Sequence, residues 1–451
     1  MHHPTPTTWV VVLTAALFAL PAWAQEPPPE AVEAPVTTAA PTPAEPPRTG
    51  WNVLGLPLVS FNSDEGFGYG ARLMLVDSGD GSQRPYRYSV VGQFFQSTRG
   101  IAQHRLMLDA PGFLSSSWRL GVNLGLLNDR FSPYFGLGGG AAYVSAFDAC
   151  ADRKALESDP NVCPGNPDFR GLRYYSFDQR TFPSVVLNAR RPLSGPWQVA
   201  LGYRFRLTSI RTRYGAEDLG QARDSRVVED ARAGLLSGLN GEEDGESVFR
   251  TAEVTASLLL DTRDNEPAPV RGMFHELALR GASTVTGSAS NYWGATANLR
   301  FYHPVVSERL VAAFRLFVDV MGGDVPFFHL SSFGGVEWLD GWGGIGGVYT
   351  ARGILKNRLQ GQAKALANGE LRWNFLSVSP WQQRLDFTLM AFFDAGQAWT
   401  DLRFADGGIP RYGGGGGLRI AWQNDFILRV DYGISPRDGT TGFYLDFGHL
   451  F

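Results

Sequence analysis

The chain has 451 residues, of which 44% are hydrophobic and 13% aromatic, and a formal charge of −4. That balance carries no electrostatic footprint for nucleic acid. Two cysteines with no C-x-x-C pair exclude a cysteine-based zinc or iron–sulfur centre.

Residues 1–24 read as an export signal. Val10 to Leu20 forms an apolar core, and Ala22-Trp23-Ala24 supplies a small-x-small cleavage site before Gln25. A buried helix would need a polar face that this run lacks. Beyond it, no apolar run reaches the roughly 18 residues of a membrane-spanning helix. Residues 25–50 are rich in Pro, Ala, Glu and Thr, a composition that cannot bury a core, and are expected to be a disordered tether. The folded region is therefore placed at 51–451.

That region alternates with period two, the signature of strands with one apolar and one polar face. Strands are expected near 52–61, 66–77, 86–98, 101–110, 116–129, 173–191, 196–212, 249–263, 272–284, 290–304, 308–322, 363–376, 385–400, 413–423, 425–433 and 442–451. Most have about the length of a tilted strand crossing a bilayer. Aromatics recur near their ends, and charges recur on their polar faces. In lipid every backbone group must be paired internally, so such strands call for a closed barrel. An even count leaves both ends on one side. The three long connections, 130–172, 213–248 and 323–362, then all emerge on the opposite, external side. Cys150 and Cys163 share the first of these, where an oxidising compartment favours a disulfide.

Three stretches resemble the barrel of the Omp85 superfamily, the bacterial surface antigen (D15) family. The first is "LLLDTRDNEPAPVRGMFHELAL", Leu258 to Leu279, with Asp261, Arg263, Asp264 and Asn265 followed by Pro269, Arg271 and Gly272. The second is Ala351-Arg352-Gly353-Ile354, similar to the family's Val/Leu-Arg-Gly-Phe/Tyr motif but with Ala and Ile at its ends. The third is Phe392-Phe393-Asp394-Ala395-Gly396, followed by "GGGGGLRIAW" and "LRVDYGIS". The resemblance covers most of 250–451 well and 51–249 in outline.

It implies an all-β transmembrane barrel of sixteen antiparallel strands whose loop 323–362 folds back into the lumen. There Arg352 would latch onto Glu370 and Asp394, both placed on the lumen face by their alternation. Gly353 completes the motif. The turn Asp261 to Gly272 is expected on the periplasmic side, with its polar side chains tied to one another. Phe443, Leu445, Phe447 and Phe451 resemble the sorting signal read by the barrel assembly machinery, the partner for this chain's own insertion.

Other partners implied are outer-membrane lipids and glycolipid. Assembly members of the family carry periplasmic POTRA units of about 75 residues, and 25–50 is too short for one. The periplasmic rim is then left free for a second copy or a periplasmic partner. The resemblance implies an outer-membrane location in a Gram-negative bacterium. It also implies a role in membrane biogenesis, inserting protein or moving lipid through a seam between the first and last strands. Gly55 and Pro57 in the first strand weaken that seam. The alternatives are a passive or gated channel and a protein acting through its surface loops, for which "LNGEEDGES" (Leu239 to Ser247) is a solvated candidate. No HExxH, G-x-S-x-G or phosphate-binding loop is present, so neither an enzyme, a metal site nor a cofactor is expected.

Overall fold

The computed structural model describes residues 49–80, 86–139, 141–152, 154–159, 161–212, 224–239, 246–336, 343–380, 383–422 and 426–451. The export segment, nearly all of the tether and the acidic residues 240–245 lie outside these.

Sixteen antiparallel strands close into one barrel, each paired with its sequence neighbours and the last returning to the first. They are β1 (Trp51–Asn62), β2 (Gly66–Asp77), β3 (Tyr88–Ser97), β4 (Ile101–Ala110), β5 (Arg119–Pro133), β6 (Ser176–Pro192), β7 (Trp197–Arg211) and β8 (Glu246–Asp261). The second half is β9 (Gly272–Ala282), β10 (Tyr292–Pro304), β11 (Leu310–Gly323), β12 (Ala363–Val378), β13 (Leu385–Trp399), β14 (Arg411–Trp422), β15 (Phe426–Ser435) and β16 (Thr440–Phe447).

The alternation sorts the two faces. Leu106, Leu201, Leu277, Leu371, Trp373, Leu389 and Phe393 point outward and stay exposed, while Thr208, Glu276, Arg315, Asn368, Glu370, Asp394 and Asp431 point inward and are buried. An apolar outer band around a polar interior is the inverse of a soluble protein and suits lipid outside.

The described parts of the connections after β5, β7 and β11 lie at one end. Two short helices, α1 (Ala155–Ser158) and α2 (Arg226–Arg232), form in the first two. Val227, Val228 and Ala231 of α2 pack with Tyr134, Phe177, Phe249 and Phe327, so these connections share an apolar core. Cys150 and Cys163 are joined by a disulfide.

The end of the chain departs from the sequence reading. The last strand was expected to run through Phe451, but β16 stops at Phe447. Gly448 takes φ +78°, which an L side chain rarely adopts. The chain then turns inward, and Phe451 is buried against Tyr302 and Ala313. Arg372 Nη2 donates to the Phe451 main-chain oxygen at 3.0 Å, and the guanidiniums of Arg315 and Arg372 lie 5.0 and 5.4 Å from its ring. Phe451 is thus not a lipid-facing strand residue like Phe443, although the same alternation continues through both.

Among the described residues β1 and β16 consequently pair only at Phe61↔Leu445 and Asn62↔Tyr444, whereas β1 pairs with β2 along its whole length. From Trp51 to Ser60 the β1 edge facing β16 has no strand partner among the described residues.

Candidate functional site

The connection after β11 builds its own small core. Ile345 and Leu359 form an isolated antiparallel bridge, and Ala351 and Ile354 pack with them against Phe317, Leu366 and Ala398 of the wall. The two positions that depart from the family motif are therefore buried apolar contacts. Between them Arg352 points the other way, toward the inward faces of β12, β13 and β15.

Arg352 is fully buried. Its Nε and Nη2 donate to Asp394 Oδ2 and Oδ1 at 2.8 and 3.0 Å, a bidentate fork, and its backbone N–H donates to Asp394 Oδ2 at 2.9 Å. Nη1 lies 2.8 Å from Glu370 Oε1 and 3.3 Å from Asp431 Oδ2. The guanidinium plane sits 3.6 Å from the Phe392 ring centroid. Burial alone would depress the guanidinium pKa, but Asp394 and Glu370 outweigh it and hold it above its usual range.

The carboxylates have second partners. Glu370 pairs with Arg372 at 2.7 Å and Asp431 with Arg419 at 2.6 Å. Asn368 Nδ2 donates to Asp394 Oδ1 at 2.7 Å and to the Thr350 carbonyl at 2.6 Å, so the wall also grips the loop backbone.

Gly353 has φ +84°, and a Cβ there would lie 2.7 Å from the Ile434 backbone nitrogen. The glycine-rich β14 and β15 serve the same approach, because a Cβ on Gly413 would lie 2.1 Å from the Arg352 carbonyl oxygen.

The same connection touches both sides of the seam. Gly353 N–H donates to Tyr444 Oη on β16 at 2.9 Å, and Thr440 donates to the Gly353 carbonyl at 2.7 Å. Lys356 Nζ lies 2.7 Å from Glu65 Oε1 in the β1–β2 turn and 3.1 Å from Asp129 Oδ2. Its backbone N–H donates to Asp64 Oδ1 at 3.2 Å. Burial would lower the Lys356 pKa, and Asp129 and Glu65 raise it instead.

At the opposite end the Asp261-to-Gly272 turn is tied to itself. Arg263 Nη2 pairs with Asp261 Oδ2 at 2.8 Å. Asp264 Oδ1 accepts from the backbones of Asn265, Val270 and Arg271 at 3.0 to 3.3 Å, and Asn265 Oδ1 accepts from Ala268 N–H at 2.9 Å. Arg271 reaches out of the turn to Glu308, and Gly272 takes φ +98°.

Sequence reasoning singled out Arg352, Glu370 and Asp394, and Phe392 only as part of a motif, but not Asp431, Asn368, Tyr444 or Lys356 as members of the site. Asp431 was visible as a carboxylate on the polar face of "LRVDYGIS". Asn368 and Glu370 share one face of one strand. Lys356 gave no signal, since a lone lysine in a loop is ordinarily solvated.

Among the described residues no cluster of His, Cys, Asp and Glu suits a metal, and no helix is long and apolar enough to cross a membrane. No curated protein matches the chain. Among solved structures, BamA from Haemophilus ducreyi lacking POTRA domains 1-3 is similar, at 16% identity and a TM-score of 0.54, with 89% of this chain and 70% of that one covered. CdiB from Escherichia coli is similar at 11% identity and a TM-score of 0.51, with 88% of this chain and 63% of that one covered. CdiB from Acinetobacter baumannii follows at 14% identity and a TM-score of 0.45, with 88% of this chain and 60% of that one covered. The first two likenesses speak for the fold. The family model of the Omp85 superfamily domain matches residues 110–451, and with the closed sixteen-stranded barrel this places the chain in the Omp85 superfamily of outer-membrane barrels.

Proposed function

We propose that this barrel works in outer-membrane biogenesis, admitting a protein strand or a lipid sideways through the seam between β1 and β16. The connection 324–362 folds into the lumen as a plug. The observation that carries the reading is the seam itself. Among the described residues two register pairs join β1 to β16, and the rest of that β1 edge has no strand partner. Such an edge is a template for a further strand, and in lipid an unmet backbone group costs several kcal/mol. Its retention favours a partner that comes and goes. Pro57 lacks the N–H that would complete a ladder there.

The Arg352 cluster supports the same reading. It fixes the plug to the wall strands, while Gly353 and Lys356 brace the outer end of the seam. Closing the lumen and leaving the wall openable directs traffic laterally.

Depletion of the protein in its host, followed by quantitative proteomics and lipid profiling of the outer membrane, tests the role. A selective fall in other barrels, or misplaced lipid, is expected. An unchanged membrane refutes it, and conductance of the purified barrel would then address the channel alternative.

A further inference from the structure

The inner wall is not polar all the way round. Val59 and Phe61 face outward and are exposed, so the pleat of β1 turns Leu54, Leu56 and Leu58 toward the lumen. Ser60, Phe95 and Gln103 line a lumen cavity with Lys356, which fixes the same phase on β1, β3 and β4. Register carries the apolar row onward. Leu54 lies opposite Met74 on β2, Met74 opposite Val91 on β3, and Val91 opposite Met107 on β4. Directly opposite residues share a face, so the four form one band, roughly 14 Å across at the spacing of neighbouring strands. Asn123 on β5, opposite Met107, ends it.

Apolar side chains elsewhere on the inner face, such as Phe317 and Leu366, are buried beneath the connection after β11. Here Leu54 is 61% exposed, and Leu56, Met74 and Met107 are half-buried. An accessible apolar surface in a polar lumen marks a place of interaction. On its other face β1 exposes Val53 and Val59 to lipid, and from Trp51 to Ser60 its edge has no strand partner among the described residues. The band is thus continuous, around that edge, with the lipid-facing surface.

We propose that the band receives the acyl chain of a lipid passing the seam, so that the cargo is a lipid and not a protein strand. This cargo rests on the reading that the seam opens. A membrane-spanning strand added to the β1 edge would extend the sheet and turn its polar side to the lumen. There it would lie beside Leu54, Leu56 and Leu58, which offer polar side chains no partner. An acyl chain has no polar side and is matched by both faces of β1.

A benzophenone amino acid replaces Met107 in the full chain, the cells are irradiated, and the protein is purified under denaturing conditions for intact mass. An adduct of lipid mass is expected, as at the outward-facing Leu106, with none at Gln103 further along the inner face. Leu54→Asn with Met74→Asn lowers the Met107 adduct about fourfold or more and leaves that at Leu106 unchanged. An adduct to another protein or to residues 25–50 of the chain itself overturns the proposal. So do equal lipid adducts at Gln103, or no adduct at Met107 while Leu106 is labelled. A disulfide across Phe61→Cys and Leu445→Cys separates this result from the seam reading. Loss of the Met107 adduct under the lock supports lipid entry through the seam. An adduct that persists keeps the lipid site and refutes the seam as its route. A nitroxide on Met74→Cys gives a reading without the photophore. Relaxation by oxygen in excess of a nickel chelate supports an acyl chain at the band, and the reverse shows a merely wet surface and overturns it.

Discussion

Arg352→Ala is expected to lower the unfolding free energy of the barrel by roughly 3–5 kcal/mol, the cost of removing one partner from a buried ion cluster. The loss falls on three carboxylates at once. Asp394 forfeits a bidentate fork and a close packing partner, Glu370 and Asp431 each lose a cation, and none of the three is exposed. The plug also loses its central anchor, so the connection 324–362 should become open to external protease and the folded form should lose its resistance to heating in detergent. Unfolding in urea, with the mutant and wild type in the same micelle, measures the first effect. Arg352→Ala combined with Asp394→Asn should cost much less than the sum of the two single changes, because the neutral amide no longer demands a counter-charge. The exposed pair Arg403 and Asp401 is the control, and its removal should leave the midpoint where it was. A midpoint equally unmoved by Arg352→Ala would show that the cluster does not hold the plug.

Phe451→Ala is expected to lengthen the seam. The last residues leave the sheet because Gly448 turns them inward and because Phe451 is held there by Tyr302, Ala313, Arg315 and Arg372. Emptying that site costs about 3–5 kcal/mol if nothing replaces the ring. The freed end has an alternative, the unpaired β1 edge, where each ladder bond returns about 0.5–1.5 kcal/mol. Continuing the register Phe61↔Leu445 sets Phe447 opposite Val59. A Val59→Cys, Phe447→Cys pair should therefore cross-link several-fold more readily in the Phe451→Ala background than in the unmutated chain. Equal yields in both would mean that the inward hook does not compete with seam pairing.

Much of this architecture is legible in the sequence, because a barrel in lipid exposes apolar side chains and buries polar ones at every second residue. Leu371 and Phe393 against Glu370 and Asp394 show that phase directly, and the latch strands could be oriented from it. Alternation cannot mark where a strand stops. Phe447, His449 and Phe451 continue the pattern past the end of β16, and the deciding event is a backbone angle at Gly448. Nor does it report contacts between distant segments. Lys356 finds Glu65 and Asp129 only because the loop is folded against β1–β2 and β5, at separations of hundreds of residues.

The central claim is that the seam between β1 and β16 opens for passage, and a lock across it is the most direct test. Phe61→Cys and Leu445→Cys place thiols at one of the two existing register pairs. The lock is formed in cells whose supply of this protein is the double variant alone, and outer-membrane proteins and lipids are quantified before and after reduction. The account predicts a loss of barrels or a misplacement of lipid while the disulfide is closed, reversed when it is reduced. A fully closed lock with an unaltered outer membrane would contradict it.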